Sequence, residues 1–164
     1  MEYVSEKEMY PHVVSWLEEF LKGREKRAHI EVFNSSTKSL SKLLEESDYH
    51  RFFPQYLSYD IQVDVTGIVV RKKTANLSFV ECKLQPISLK DISQLLGYSL
   101  VAKPKYSLII SPKGISYSIG QLFAVHQRYE ILNYADNHSL RICHWLKSKR
   151  DIDHSTLIPP GKHL

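Results

Sequence analysis

Cysteine is scarce in this chain of 164 residues, which carries only Cys82 and Cys143. Two cysteines in apolar surroundings argue against a disulfide framework or a cysteine-based zinc site, and read instead as buried thiols. Long hydrophobic runs are also missing. No stretch approaches the roughly 18 apolar residues of a membrane helix, so no membrane partner is expected. The N-terminal residues Met1 to Glu8 are charged and lack an apolar signal segment, which points to a cytoplasmic protein. The six glycines form neither a P-loop nor a dinucleotide pattern, so no nucleotide-driven motor is encoded. The eight histidines, scattered from His12 to His163, show no zinc-ligand spacing.

What is present fits one domain of ordinary size, expected over residues 1–150. The apolar fraction of 43% is enough for a real core. The tail, 151–164, has two prolines and little periodicity and is expected to be poorly ordered. The formal charge is +4 and the pI about 9.0. That balance permits a nucleic-acid partner. The basic residues gather in three places: Leu21 to Arg27, Arg71-Lys72-Lys73, and Lys147-Ser148-Lys149-Arg150.

Apolar residues at helical spacing (Met9, Val13, Trp16, Leu17, Phe20, Leu21) predict a first helix over Ser5 to Leu21, with Ser5 and Glu8 as a capping box and Gly23 as its stop. Strands are predicted over His29 to Asn34, Ile61 to Val70 and Leu77 to Leu84, with a short helix within Ser35 to Ser47. A helix follows from Ser88 to Ala102, then a strand from Tyr106 to Ser111 and a helix from Ser116 to His126. Tyr129 to Tyr134 and Leu140 to Trp145 are predicted as a C-terminal β-hairpin. The expected class is α/β, a mixed β-sheet flanked by helices.

Within Phe79-Val80-Glu81-Cys82-Lys83, strand alternation puts Val80 and Cys82 on one face and Glu81 and Lys83 on the other. Charges on a strand face cost stability unless they reach water or have a function. Asp64 lies in the preceding strand, with Gln62 and Thr66 on its face and Val63 and Val65 opposite. Pairing through the Arg71-to-Asn76 turn brings it towards Glu81. Two close carboxylates repel, and a cation between them keeps both ionised. Mg²⁺ suits such a pair, taking one or two carboxylates and completing its octahedron with waters and phosphate oxygens. The backbone carbonyl of Cys82 is a further candidate ligand. The Lys83 ammonium can hold the attacking water or contact a phosphate. As a base it needs a lowered pKa, and partial burial with a nearby cation pushes that way. Gln94 and Tyr98, four apart on the Ser88 helix, share a face that can bind phosphate oxygens or a base.

Together, Asp64, Glu81-Cys82-Lys83 and the Gln94-to-Tyr98 Gln-x-x-x-Tyr set resemble the PD-(D/E)xK nuclease superfamily, in its RecB-like branch. Glu8 resembles the acidic residue that many members carry on the first helix, and Glu6 rivals it. Asp60 likewise rivals Asp64, which is preferred because Gly67 follows it closely. No proline immediately precedes Asp64. The resemblance covers about residues 5 to 111. It implies a restriction-endonuclease-like core in which Asp64 and Glu81 bind Mg²⁺ or Mn²⁺, Glu8 assists the metal or its waters, and Lys83 assists hydrolysis of a DNA phosphodiester. No iron–sulfur cluster is expected, since the cysteines for one are missing. A homodimer is expected for cutting two strands. The competing expectation is a module on the same fold that binds nucleic acid or protein without cutting.

Overall fold

The computed structural model describes residues 1–161 and 163–164. A 3₁₀ turn, Glu6–Glu8, leads into α1 (Tyr10–Arg24), followed by β1 (His29–Asn34) and α2 (Leu40–Glu46). Two more 3₁₀ turns precede β2 (Val65–Val70) and β3 (Ala75–Cys82). Then come α3 (Leu89–Ala102), β4 (Tyr106–Ser111), α4 (Tyr117–Ala124), the short β5 (Asn133–Ala135) and β6 (His138–Ser139), β7 (Arg141–Leu146) and β8 (Asp151–Ile158). Six strands form one sheet in the order β1-β2-β3-β4-β7-β8. β1, β2 and β3 are antiparallel, β3, β4 and β7 run parallel, and β8 returns antiparallel to β7. The sheet is therefore mixed, as its helix-crossed connections require.

Helices cover both faces. On one, Val13, Leu17 and Leu21 of α1 pack over Val65, Val69, Val80, Leu108 and Ile110. On the other, α2, α3 and α4 bring Leu43, Ile92, Leu95, Ile119 and Phe123 against Ile68, Leu77, Phe79 and Ile109. Each fully buried side chain of this kind contributes about 1.5–3 kcal/mol. Gly67 sets the height of α1: a Cβ there would stand 2.7 Å from Leu21 Cδ1 and 3.3 Å from Leu17 Cδ2.

The fold departs from the sequence reading in four places. The capping box does not form. Ser5 makes no side-chain cap, and Glu8 Oε2 accepts instead from the Val4 amide at 3.1 Å. The helix also runs one residue past Gly23, to Arg24.

The second strand starts at Val65 rather than Ile61. The carbonyls of Tyr59 and Ile61 are taken by the Ser41 and Leu40 amides at the start of α2, at 3.2 and 2.7 Å, so they are lost to a strand partner. The resulting bend at Asp64 breaks the alternation. Val63 packs on the α2 side and Val65 on the α1 side.

The expected hairpin of Tyr129 to Tyr134 with Leu140 to Trp145 is replaced. Tyr129–Leu132 is a 3₁₀ turn, β5 pairs only with β6, and β7 lies between β4 and β8. A strand flanked on both sides and covered on both faces is nearly continuously apolar, as Ile142-Cys143-His144-Trp145-Leu146 is.

Finally, Asp151–Ile158 is an edge strand and not a loose tail. Ile152 and Leu157 are buried, and the Trp16 indole donates to Asp151 Oδ1 at 2.7 Å, tying the strand to α1. Beyond it, Arg141 donates to the carbonyls of Pro159 and His163 at 3.1 and 2.9 Å.

Candidate active site

The parallel run of β3, β4 and β7 gathers their C-terminal ends at one rim of the sheet. Glu81, Cys82 and Lys83 lie there, at the end of β3. The Val65–Val80 register brings the start of β2 alongside. Ser35 pins that start. Its amide donates to the Asp64 carbonyl at 2.9 Å, and its hydroxyl donates to the Val63 carbonyl at 2.8 Å.

Asp64 is held at both oxygens. The Tyr10 hydroxyl donates to Oδ1 at 2.8 Å, and the Cys82 amide donates to Oδ2 at 2.8 Å. Lys83 Nζ donates to Glu81 Oε1 at 3.0 Å and lies 3.9 Å from Asp91 Oδ1. Glu81 Oε2 is buried and has no hydrogen-bond partner. Val80 and Cys82 sit in the α1-side core as expected.

Burial, and then the charge of Asp64, push Glu81 up to about 7, with Lys83 and the Asp64 backbone amide pulling back. Burial also raises Asp64, against the pull of the Cys82 amide, the Tyr10 hydroxyl and Lys83. For Lys83, burial works downward, but Glu81, Glu6 and Asp91 outweigh it and the ammonium is stabilised. Lys83 is therefore an acid and a charge here. Burial lifts the Cys82 thiol well above its usual value, so it is inert.

The structure separates the rival acids. Glu6 Oε1 accepts from the Leu84 amide at 3.4 Å, and its charge acts on Lys83, Cys82 and Tyr10. Glu8 is exposed and turned to Val4. The acid from the first helical segment that reaches the site is Glu6. Asp60 is exposed and Asp64 is at the centre.

Gln94 Nε2 donates to the Tyr98 hydroxyl at 3.1 Å on the outer side of α3. Among the described residues, neither side chain hydrogen-bonds to Asp64, Glu81 or Lys83. They do share a helix face with Asp91, which faces Lys83. Tyr10 and Asp91 are the participants that sequence reasoning missed. Asp91 had a signal: Ser88-x-x-Asp91 is a capping box, and it forms, the Ser88 amide donating to Asp91 Oδ2 at 2.9 Å.

Among the described residues, no group of three or more His, Cys, Asp or Glu side chains is arranged to hold a metal. The donor set is smaller: two partly buried carboxylates and a main-chain carbonyl. Mg²⁺ accepts such a set because it keeps several waters. A buried carboxylate oxygen with no donor, beside a second carboxylate, is what a hard cation would relieve. The residues therefore fit the ion. Two cavities lie apart from the carboxylates. One, of about 280 Å³, opens among Phe20, Lys105 and Tyr106 towards the opposite rim. The other, of about 380 Å³, begins beside the site at Leu84 and Gln85.

Comparison with known protein families, with curated proteins and with solved structures found no match.

Proposed function

We propose that this chain is a Mg²⁺- or Mn²⁺-dependent deoxyribonuclease with a restriction-endonuclease-like core of the PD-(D/E)xK kind, working in the cytoplasm as a homodimer. The observation that carries the reading is the unpartnered, buried Glu81 Oε2 at a sheet rim shared with Asp64 and Lys83. Supporting it is the mixed sheet with helices on both faces, which brings the two carboxylates and the lysine together from separate strands.

In this reading Asp64, Glu81 and the Cys82 carbonyl hold the metal. When bound, the ion activates water and offsets charge on the phosphorus. That charge would favour the ionised form of Glu81, the direction in which Lys83 already pulls. The Cys82 amide and Tyr10 hydroxyl fix the rotamer of Asp64, so its free lone pairs have one direction to serve. Lys83, an ammonium, contacts a non-bridging phosphate oxygen and stabilises charge as it develops. Glu6 stands behind it and assists with the waters. Gln94 and Tyr98, on the α3 face that carries Asp91, offer an amide and a phenol to phosphate oxygens or a base.

The second reading is a module that binds nucleic acid without cutting. It is favoured by the absence of a third acidic ligand among the described residues and by the Lys83–Glu81 ion pair, which closes one side of the site without a metal. Cleavage assays on linear, circular, single-stranded and branched DNA with Mg²⁺ separate the two. Glu81→Ala and Lys83→Ala should each lose metal-dependent cleavage and keep the wild-type circular dichroism. Full activity in either variant sinks the nuclease reading, and no heat of Mn²⁺ binding to the wild type favours the second.

A further inference from the structure

The sheet sorts the three basic clusters between its two rims. Arg71-Lys72-Lys73 forms the β2–β3 turn. Leu21 to Arg27 joins α1 to β1, whose His29 pairs with Val70. Both clusters lie at the rim remote from Glu81. There Glu25, 4% exposed, takes Arg71 at 2.8 Å and also Lys105. Lys147 to Arg150 is different. It is the β7–β8 turn, and β7 runs parallel to β4 and β3. This turn therefore stands at the Glu81 rim, two strand spacings or roughly 10 Å from β3.

Lys149 and Arg150 are exposed, and among the described residues neither they, Lys147 nor Lys113 has an ion-pair partner. The next acid, Asp151, is occupied by the Trp16 indole and the Ile152 amide. Lys147 lies 4.1 Å over the Tyr3 ring. His12, bonded to Tyr3, has its pKa lowered by burial and then by the charges of Arg150 and Lys147.

Between the turn and the site lies the recess of about 380 Å³, with Leu84 and Gln85 on the site side and Lys113, Trp145 and Lys147 on the turn side. One carboxylate, Glu2, borders it. Two lysines at its wall and two further cations beyond it make a positive lane that starts at the site. Lys113 Nζ reaches Gln85 Oε1 at 3.4 Å, which bridges the two sides.

We infer that the β7–β8 turn, with Lys113, is the phosphate-binding extension of the site, and that a DNA strand runs from Lys83 across the ends of β4 and β7 to Arg150. The turn begins three residues beyond His144, which is level with Lys83; with the sideways step, the span to Lys147 is roughly 14 Å, about four phosphates of a B-form strand at its rise of about 3.4 Å. The inference rests on the nuclease reading for the polyanion, and its test is one of binding. A short fluorescein-labelled DNA duplex is titrated without metal, by anisotropy, over a series of salt concentrations. The test variant combines Lys113→Gln, Lys147→Gln, Lys149→Gln and Arg150→Asn, the last suited to the φ of 51° at that position. The control combines Lys26→Gln, Arg27→Asn, Lys72→Gln and Lys73→Gln, with the same charge removed from the other rim. The slope of log K against log salt should shrink by roughly 3 in the test variant and stay at the wild-type value in the control. Circular dichroism checks that both fold. An unchanged slope in the test variant, an equal loss in both, or no binding by the wild type at low salt overturns the inference. Binding through the turn with no cleavage by the wild type removes the nuclease reading and leaves this one. Cleavage with an unchanged slope does the reverse.

Discussion

The Cys82 amide nitrogen lies 2.8 Å from Asp64 Oδ2. The middle residue of Glu81-Cys82-Lys83 thus orients the aspartate with its main chain, while its side chain fills the core on the other face. The charged pair and the aspartate are one unit because the residue between Glu81 and Lys83 is hydrogen-bonded to Asp64. A Cys82→Val change keeps that amide, whereas changes at Asp64 or Glu81 remove charge directly.

Glu81 should make the metal-free protein less stable as pH rises. Its pKa is moved from 4.5 up to about 7, so the folded chain holds this proton more tightly than the unfolded one. The contribution is full below about 4.5 and is lost as pH rises through about 7. Asp64 is shifted in the same direction. In EDTA, the Tm of the wild type should fall relative to Glu81→Gln between about pH 5 and about pH 8. Mg²⁺ at the upper pH should raise the Tm of the wild type and leave that of Glu81→Gln where it was. Equal Mg²⁺ shifts in the two proteins would remove Glu81 as a ligand.

Glu25 should act in the opposite sense. Burial raises its pKa, but Lys105 and Arg71 outweigh that and the net shift is downward. Its stabilisation is present above the ordinary value of 4.5 and is lost as pH falls through the lowered one. Both cations are more than a third exposed, Arg71 at 37% and Lys105 at 41%, so they rehydrate when the carboxylate goes. Glu25→Gln should therefore cost about 1–3 kcal/mol at neutral pH, less than a fully buried pair would. Urea denaturation should show that gap closing in acid.

Glu6 and Glu8 should separate in a metal titration. Glu6→Gln removes a charge that acts on Lys83 and leaves an amide oxygen to accept from the Leu84 amide. It should weaken Mn²⁺ binding measured by calorimetry and slow cleavage. Glu8→Gln removes a charge at an exposed position, keeps an acceptor for the Val4 amide, and should change stability by less than about 0.5 kcal/mol. The reverse ranking would restore Glu8 to the site.

The central strands and α3 were legible because alternation and helical spacing report burial directly. Leu77 and Phe79 fall on one face of β3 and Val80 and Cys82 on the other. Asp64, Glu81 and Lys83 could be found because charge on a buried strand is anomalous in any fold. The misses have a different origin. β8 reads as Asp-Ile-Asp-His-Ser-Thr-Leu-Ile, and its Ile152 and Leu157 are five apart because the register shifts opposite Ile142 and His144. Local alternation cannot show a bulge. Glu6 and Glu8 are two apart at a 3₁₀-to-α junction, where neither helical nor strand spacing assigns a face. Tyr10 reaches Asp64 across 54 residues, a contact set by how α1 lies on the sheet.

That lie depends on Gly67. Leu17 and Leu21 rest on its bare Cα, and Tyr10, seven residues before Leu17, touches Asp64 at the other end of the same rod, roughly 10 Å away at the helical rise. Gly67→Ala puts a methyl group under Leu21, whose terminal carbon would be 2.7 Å off. The leucine can give a little, so the cost in chemical denaturation should be about 1–3 kcal/mol. The larger effect is leverage. Lifting the far end of α1 tips its near end, and with it both Tyr10 and the turn that carries Glu6. A position with no functional group of its own is thereby the fulcrum on which the alignment of the carboxylates turns.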